Sequence, residues 1–234
     1  MPEVVKLLCA GAVQGLVKAL APRFTELTGA TIEPRFGAVG ALKEALQGGA
    51  LCDAMIVTDA MVVALQASGE LGAAPRAPLG RVRTGVAVRR GEPLPEIADP
   101  EALKAALLAA RAIYFPDPQR ATAGIHFASV LAQLGLADLL AARLRTFPNG
   151  ATSMRELALD DAPGAIGCTQ ITEIMYTPGI ELVGPLPDAF ELATVYTAAL
   201  GAHPAQPALA QALIDLLAGE ATRTLRAEGG FEFD

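Results

Sequence analysis

Short apolar runs alternate with segments of helical period along this chain, and that alternation limits its fold more than any other feature. Residues 4–10 (VVKLLCA), 30–36 (ATIEPRF) and 52–58 (CDAMIVT) read as strands. Residues 12–29, 38–49 and 59–71 carry apolar side chains at helical spacing. A β-α-β-α-β-α series of this kind predicts a parallel sheet with helices on its faces. Gly29 stands where a left-handed helix stop belongs, Asp59 is read as a helix cap, and Pro22 strains the middle of the first helix.

A Gly/Ala/Pro-rich segment, 72–82, precedes a long alternating strand, RVRTGVAVRR (81–90). A second series follows: helix 99–110, strand 112–115, helix 123–135, strand 144–147, helix 153–161, strands 165–169 and 179–187. A second long strand covers 190–200, and closing helices cover 203–220 and 221–230. The reading is α/β with two lobes. Residues 1–80 and 191–234 form lobe one and 81–190 lobe two, each a mixed, mostly parallel sheet flanked by helices. The two long strands serve as crossovers, and a ligand cleft is expected between the lobes, beyond the carboxyl ends of the strands.

Composition narrows the function. Of 234 residues, 52% are hydrophobic but only 5% aromatic, so Ala, Leu and Val must fill the core. The net charge of −7, with no long Lys/Arg cluster, argues against nucleic acid. Three widely spaced Cys and two His form no disulfide framework and no zinc pattern, so no metal or cofactor is expected. No apolar run of membrane-spanning length occurs, and MPEVVKLLCAG lacks the outline of a signal peptide. The chain is then expected to be cytoplasmic if complete, or periplasmic if a leader preceded it.

Four strand-to-helix junctions carry the candidate chemistry: CAGAVQG (9–15), FGAVG (36–40), QRATAGIH (119–126) and GCTQITE (167–173). Small residues at such turns let main-chain N–H groups approach a ligand closely. A helix start offers unpaired donors and about half a positive charge. One Gly-rich turn is ordinary in an α/β fold; four facing one cleft would hold an anion without Lys or Arg.

With those stretches in view, the chain resembles the periplasmic molybdate-binding protein family of ABC importers, which has the type II solute-binding fold. The likeness rests on CAGAVQGLVKALAPRFTELTG, RFGAVGALKEALQGGALCDAMIVTDA, FPDPQRATAGIHFASVLAQLGL and GAIGCTQITEI, and on the closing stretch from VYTAAL to LLAGEATRTLRAEGGFE. It implies a small anionic ligand and an ABC permease as partner, with no direct membrane insertion and a monomeric chain. The chain departs from the family at its hydroxyl donors. Where the resemblance implies Ser, this sequence has Ala12, Ala38 and Val39; where it implies Tyr, it has Cys168. Each charge-assisted hydrogen bond lost around a compact dianion costs roughly 1.5–3 kcal/mol. An organic carboxylate is therefore expected in place of molybdate.

The expected ligand-binding residues are Gly11, Ala12, Val13, Ala38, Val39, Thr58, Arg120, Ala121, Thr122, Cys168, Thr169, Gln170 and Tyr196. Arg120 is placed to pair with a carboxylate; its alternative is a solvent-facing loop arginine. A branch resembling the same family includes aconitate isomerase, so the alternative function is isomerisation of an unsaturated di- or tricarboxylate in the same cleft. Such chemistry needs a base and oxyanion donors. Cys168, Glu173, Asp59 and His126 are the base candidates, and no spacing signature chooses among them.

Overall fold

The computed structural model describes residues 3–233, in two compact units: residues up to Val82 with Thr194 onward, and Arg83–Ala193. In chain order the first unit opens with β1 (Val4–Ala10), a 3-10 turn at Gly11–Val13, α1 (Gln14–Thr28), β2 (Thr31–Gly37), α2 (Val39–Gln47), β3 (Ala54–Thr58) and α3 (Asp59–Ala67). Strand β4 (Ala77–Arg89) runs across the boundary. The second unit holds α4 (Pro100–Ala109), β5 (Ala112–Pro116), α5 (Thr122–Gln133), β6 (Leu144–Phe147), α6 (Gly150–Leu159), β7 (Ala165–Gln170), α7 (Ile171–Met175) and β8 (Ile180–Pro185). The chain returns to the first unit through β9 (Ala193–Leu200), α8 (Pro207–Ala218) and α9 (Arg223–Glu228).

The first unit's sheet has the order β2-β1-β3-β9. Strands β1, β2 and β3 are parallel and β9 is antiparallel to β3. On α1, Leu16, Val17, Leu20 and Phe24 are buried, the stripe a helix needs to pack on a sheet. Each such side chain contributes about 1.5–3 kcal/mol by leaving water. Pro22 lies inside α1, but on its exposed side, so its missing N–H costs no packing. Gly29 ends the helix at φ 72°, a conformation that Gly adopts without the Cβ penalty.

The second unit's sheet has the order β8-β4-β7-β5-β6. Strands β5, β6 and β7 are parallel, while β4 runs against β7 and β8. Phe115 on β5 meets Phe127 on α5 edge to face, with centroids 5.3 Å apart, and this contact seats α5 on the sheet.

The start of β4 is tied to the end of the chain. Arg226 is 3% exposed and donates to the carbonyls of Leu79, Ala218 and Gly219. Its guanidinium and that of Arg223 both lie over the Phe233 ring. Arg81 and Glu232 exchange main-chain bonds of 2.9 and 2.7 Å. Strand β4 thus starts at Ala77 and runs through Pro78 and Gly80, inside the Gly/Ala/Pro-rich segment, where the sequence places the strand only from 81.

Candidate functional site

The parallel strands of each unit end along one edge of its sheet, and most of the expected residues gather there. In the first unit Ala10 pairs with Gly37, and Thr58 ends β3 opposite Tyr196 of β9. This register brings Gly11, Ala12, Val13, Ala38, Val39, Thr58 and Tyr196 to one edge. In the second unit β5 leads into Arg120, Ala121 and Thr122, while Thr169 and Gln170 end β7.

How each helix start is capped separates these positions. Thr58 caps α3, its Oγ1 accepting from the Met61 amide. Asp99 caps α4 through the Ala102 amide at 2.9 Å, and Asn149 caps α6 through the Thr152 amide at 2.8 Å. By contrast Ala10 precedes the 3-10 turn that opens into α1, Ala38 precedes α2 and Ala121 precedes α5, and none has a side-chain cap bond. Ala is among the poorest N-cap residues, at about 1 kcal/mol relative to Ser or Asp. Three such starts, at the carboxyl ends of β1, β2 and β5, leave their first main-chain donors without a side-chain cap.

Two expectations are corrected. Asp59 is not the cap of α3. It is the first helical residue; Thr58 caps, and the Asp59 carboxylate accepts from Arg76 at 2.8 Å and from Thr197 at 3.0 Å. The Arg76 bond, with help from Thr197, holds that carboxyl below the usual range. Cys168 is not at a helix start. It lies within β7, fully buried in the core beside Val86, Phe115 and Phe127. Burial raises its thiol pKa, so it supplies no thiolate at neutral pH.

The other base candidates are committed to structural partners. His126 Nε2 lies 2.8 Å from the Phe190 carbonyl, to which it donates. Glu173 is 6% exposed. Its Oε2 accepts from Thr169 Oγ1 at 2.5 Å and its Oε1 from the Ala151 amide at 3.1 Å. Amides of Gln170 and Gly150 are also directed at it. The Gln170 contact is the return half of a capping box, in which the third helical residue reaches back to the cap N–H. Arg120 is exposed, and its loop is shaped by Asp117 Oδ1, which accepts from the Gln119 and Arg120 amides.

Burial pushes the Glu173 carboxyl up to about 7, against the four hydrogen bonds that pull it down. The folded form therefore holds this proton more tightly than the unfolded chain does. Stability from this group is full below about pH 4.5 and is lost as pH rises through about 7. Urea unfolding of wild type and Glu173→Gln at pH 5 and pH 8 should show it. The wild type is expected to lose on the order of 3 kcal/mol more than the variant over that interval. Equal losses would remove the titration from Glu173.

Sequence reasoning missed Asn149, Gly150 and Ala151, which begin α6 three residues before its expected start. The signal was present: Asn before Gly-Ala-Thr has the outline of a cap. Helix α7 was read only as a junction, since five residues show no period. Among the described residues, no group of three or more His, Cys, Asp or Glu could hold a metal ion, and no helix is long and apolar enough to cross a membrane.

This geometry matches known proteins. A profile of the family described as bacterial extracellular solute-binding protein matches residues 5–232, and the chain belongs to that family. The family is extracellular, so the expectation of a cytoplasmic protein finds no support in it. An aconitate isomerase from Pseudomonas sp is 27% identical over 223 residues, covering 92% of this chain and 82% of that protein. The periplasmic molybdate-binding protein of Azotobacter vinelandii superposes with a TM-score of 0.79 at 20% identity, covering 98% and 99% of the two chains. PEB3 with L-phospholactate bound superposes at 0.68 and 16% identity, covering 98% and 100%. The fold is thus the type II solute-binding fold.

Proposed function

We propose that this solute-binding protein captures a small organic carboxylate on main-chain amides and delivers it to an ABC permease. The observation that carries this reading is the set of three alanines, Ala10, Ala38 and Ala121, that stand as caps at the strand ends. A chain selected for stability alone gains by placing Ser, Thr, Asn or Asp there, as it does at Thr58, Asp99 and Asn149. Leaving the amides of α2 and α5, and of the turn at Gly11–Val13, without internal partners keeps them for an external acceptor. The flanking Ala12 and Val39 side chains, 5% and 7% exposed, are apolar and give a carbon skeleton a wall. The ligand-binding role of Gly11, Thr58, Arg120, Thr122, Thr169, Gln170 and Tyr196 is part of the same proposal. An organic acid among the ligands of structural relatives, L-phospholactate, supports the class.

A thermal-shift panel tests the reading, because a ligand stabilises by mass action. Di- and tricarboxylates are expected to raise the melting temperature, and molybdate and sulfate to leave it within a degree or so. A rise of many degrees at micromolar molybdate would overturn the carboxylate assignment.

The likeness to aconitate isomerase favours a second reading, isomerisation of an unsaturated di- or tricarboxylate. Against it, Cys168 is a buried thiol, His126 donates to the Phe190 carbonyl, and Glu173 is 6% exposed with its oxygens bonded to Thr169 and Ala151. Under the binding reading, cis- and trans-aconitate incubated with the protein in deuterated buffer show no exchange or interconversion by NMR. Turnover there would move the assignment to the enzyme.

A further inference from the structure

We propose that Glu173 is a resident carboxyl group: an acceptor from the chain itself that fills the ligand position at the start of α6 and withholds that helix from external ligands. The accounting of α6 donors carries the proposal. Its first three amides belong to Gly150, Ala151 and Thr152. Thr152 donates to the Asn149 side chain. Ala151 donates to Glu173 Oε1 at 3.1 Å, and the Gly150 amide is directed at the same carboxylate. The next amide, that of Ser153, already bonds the Asn149 carbonyl at 3.0 Å. No first-turn donor of α6 remains for a ligand.

The opposite side of the carboxylate is closed by Thr169 Oγ1 at 2.5 Å, and the whole side chain is buried. Gly150 is what lets it fit. A Cβ there would lie 1.9 Å from Thr169 Oγ1 and 2.0 Å from Glu173 Oε2. The carboxylate and the helix backbone therefore occupy one close contact, with no room for a side chain or a second anion. Helices α2 and α5 lack any such internal group, which makes α6 the counter-example in the same fold. The α6 start is thus occupied by Glu173 before any solute arrives. This goes beyond the ligand assignment above, whose uncapped amides lie at Gly11–Val13, α2 and α5, while Thr169 and Gln170 also touch Glu173.

Removal of the carboxylate leaves a vacancy with the same donors, and formate, the smallest carboxylate, is the probe. In Glu173→Ala, formate is expected to raise the melting temperature by about 3–6 °C at ten times its dissociation constant, relative to chloride at matched ionic strength. The 15N-edited signals of Gly150 and Ala151 should move with formate in parallel. Wild type and Glu173→Gln, whose sites stay filled, should show neither effect. If Glu173→Ala does not fold unaided, refolding yield in formate against chloride replaces the melting measurement, with formate expected to restore it. Equal behaviour in formate and chloride, in either format, overturns the proposal, as does an equal formate response in wild type.

Discussion

Gly124→Ala should lower stability by about 3–5 kcal/mol, a drop in melting temperature on the order of 10 °C. Helix propensity alone gives the opposite sign, because Ala is favoured over Gly in a helix by about 1 kcal/mol. The contact around α5 reverses it. A Cβ on Gly124 would sit 2.2 Å from the Asp117 carbonyl oxygen and 2.4 Å from that of Pro116. Both are main-chain atoms at the end of β5, so no rotamer change relieves the clash and the helix start must move. Phe127 is anchored one turn later against Phe115, which resists that movement. The displaced amides are those assigned to the ligand, so carboxylate affinity should fall with stability. Thermal unfolding together with titration of a stabilising carboxylate reads both. A variant as stable as wild type would mean that α5 is not held against β5 as described.

Restoring hydroxyls should change what the protein binds. Ala12 and Ala38 are 5% and 6% exposed and flank two uncapped starts. Ser at either position adds one oxygen beside main-chain donors that have no side-chain cap. If each hydroxyl contributes roughly 1.5–3 kcal/mol to a compact dianion, the double variant Ala12→Ser, Ala38→Ser gains about a hundred- to ten-thousand-fold in affinity for sulfate or molybdate. Calorimetric titration of both proteins with each oxyanion measures the gain. An unchanged affinity would show that missing hydroxyls do not set ligand class here. The added Ser at 38 should also cap α2 and stabilise the ligand-free protein by about 1 kcal/mol, which an unfolding curve resolves separately.

The α/β class was legible because the buried strands and amphipathic helices of residues 4–71 alternate cleanly, and because Gly29 marks a helix end that only a left-handed residue makes. Boundaries were less legible where tertiary contacts set them. Strand β4 begins at Ala77, beside β9, and its start is held by Arg226 and Glu232, some 150 residues away in sequence, which bond to Leu79 and Arg81. No local pattern announces that. The same reason hid the capping of α6. Its Asn149 is local, but the carboxylate at its start comes from Glu173 on another helix. Cys168 illustrates the converse. Its place in the strand expected over 165–169 was right to within one residue, and burial in the core decides between a reactive thiol and a packing residue. The three uncapped alanines were visible as an absence of hydroxyls, but their meaning required seeing that Thr58, Asp99 and Asn149 cap α3, α4 and α6, while α7, α8 and α9 also start without a side-chain cap.

The division of the chain has a consequence for its synthesis. Residues 83–193 form one unbroken stretch, so the second unit has all its strands once that stretch has left the ribosome. The first unit does not. Strand β3 waits for β9, and the beginning of β4 waits for Arg226 and Glu232. The N-terminal third therefore emerges first but is completed last, and until then its β3 edge is an open template for mispairing.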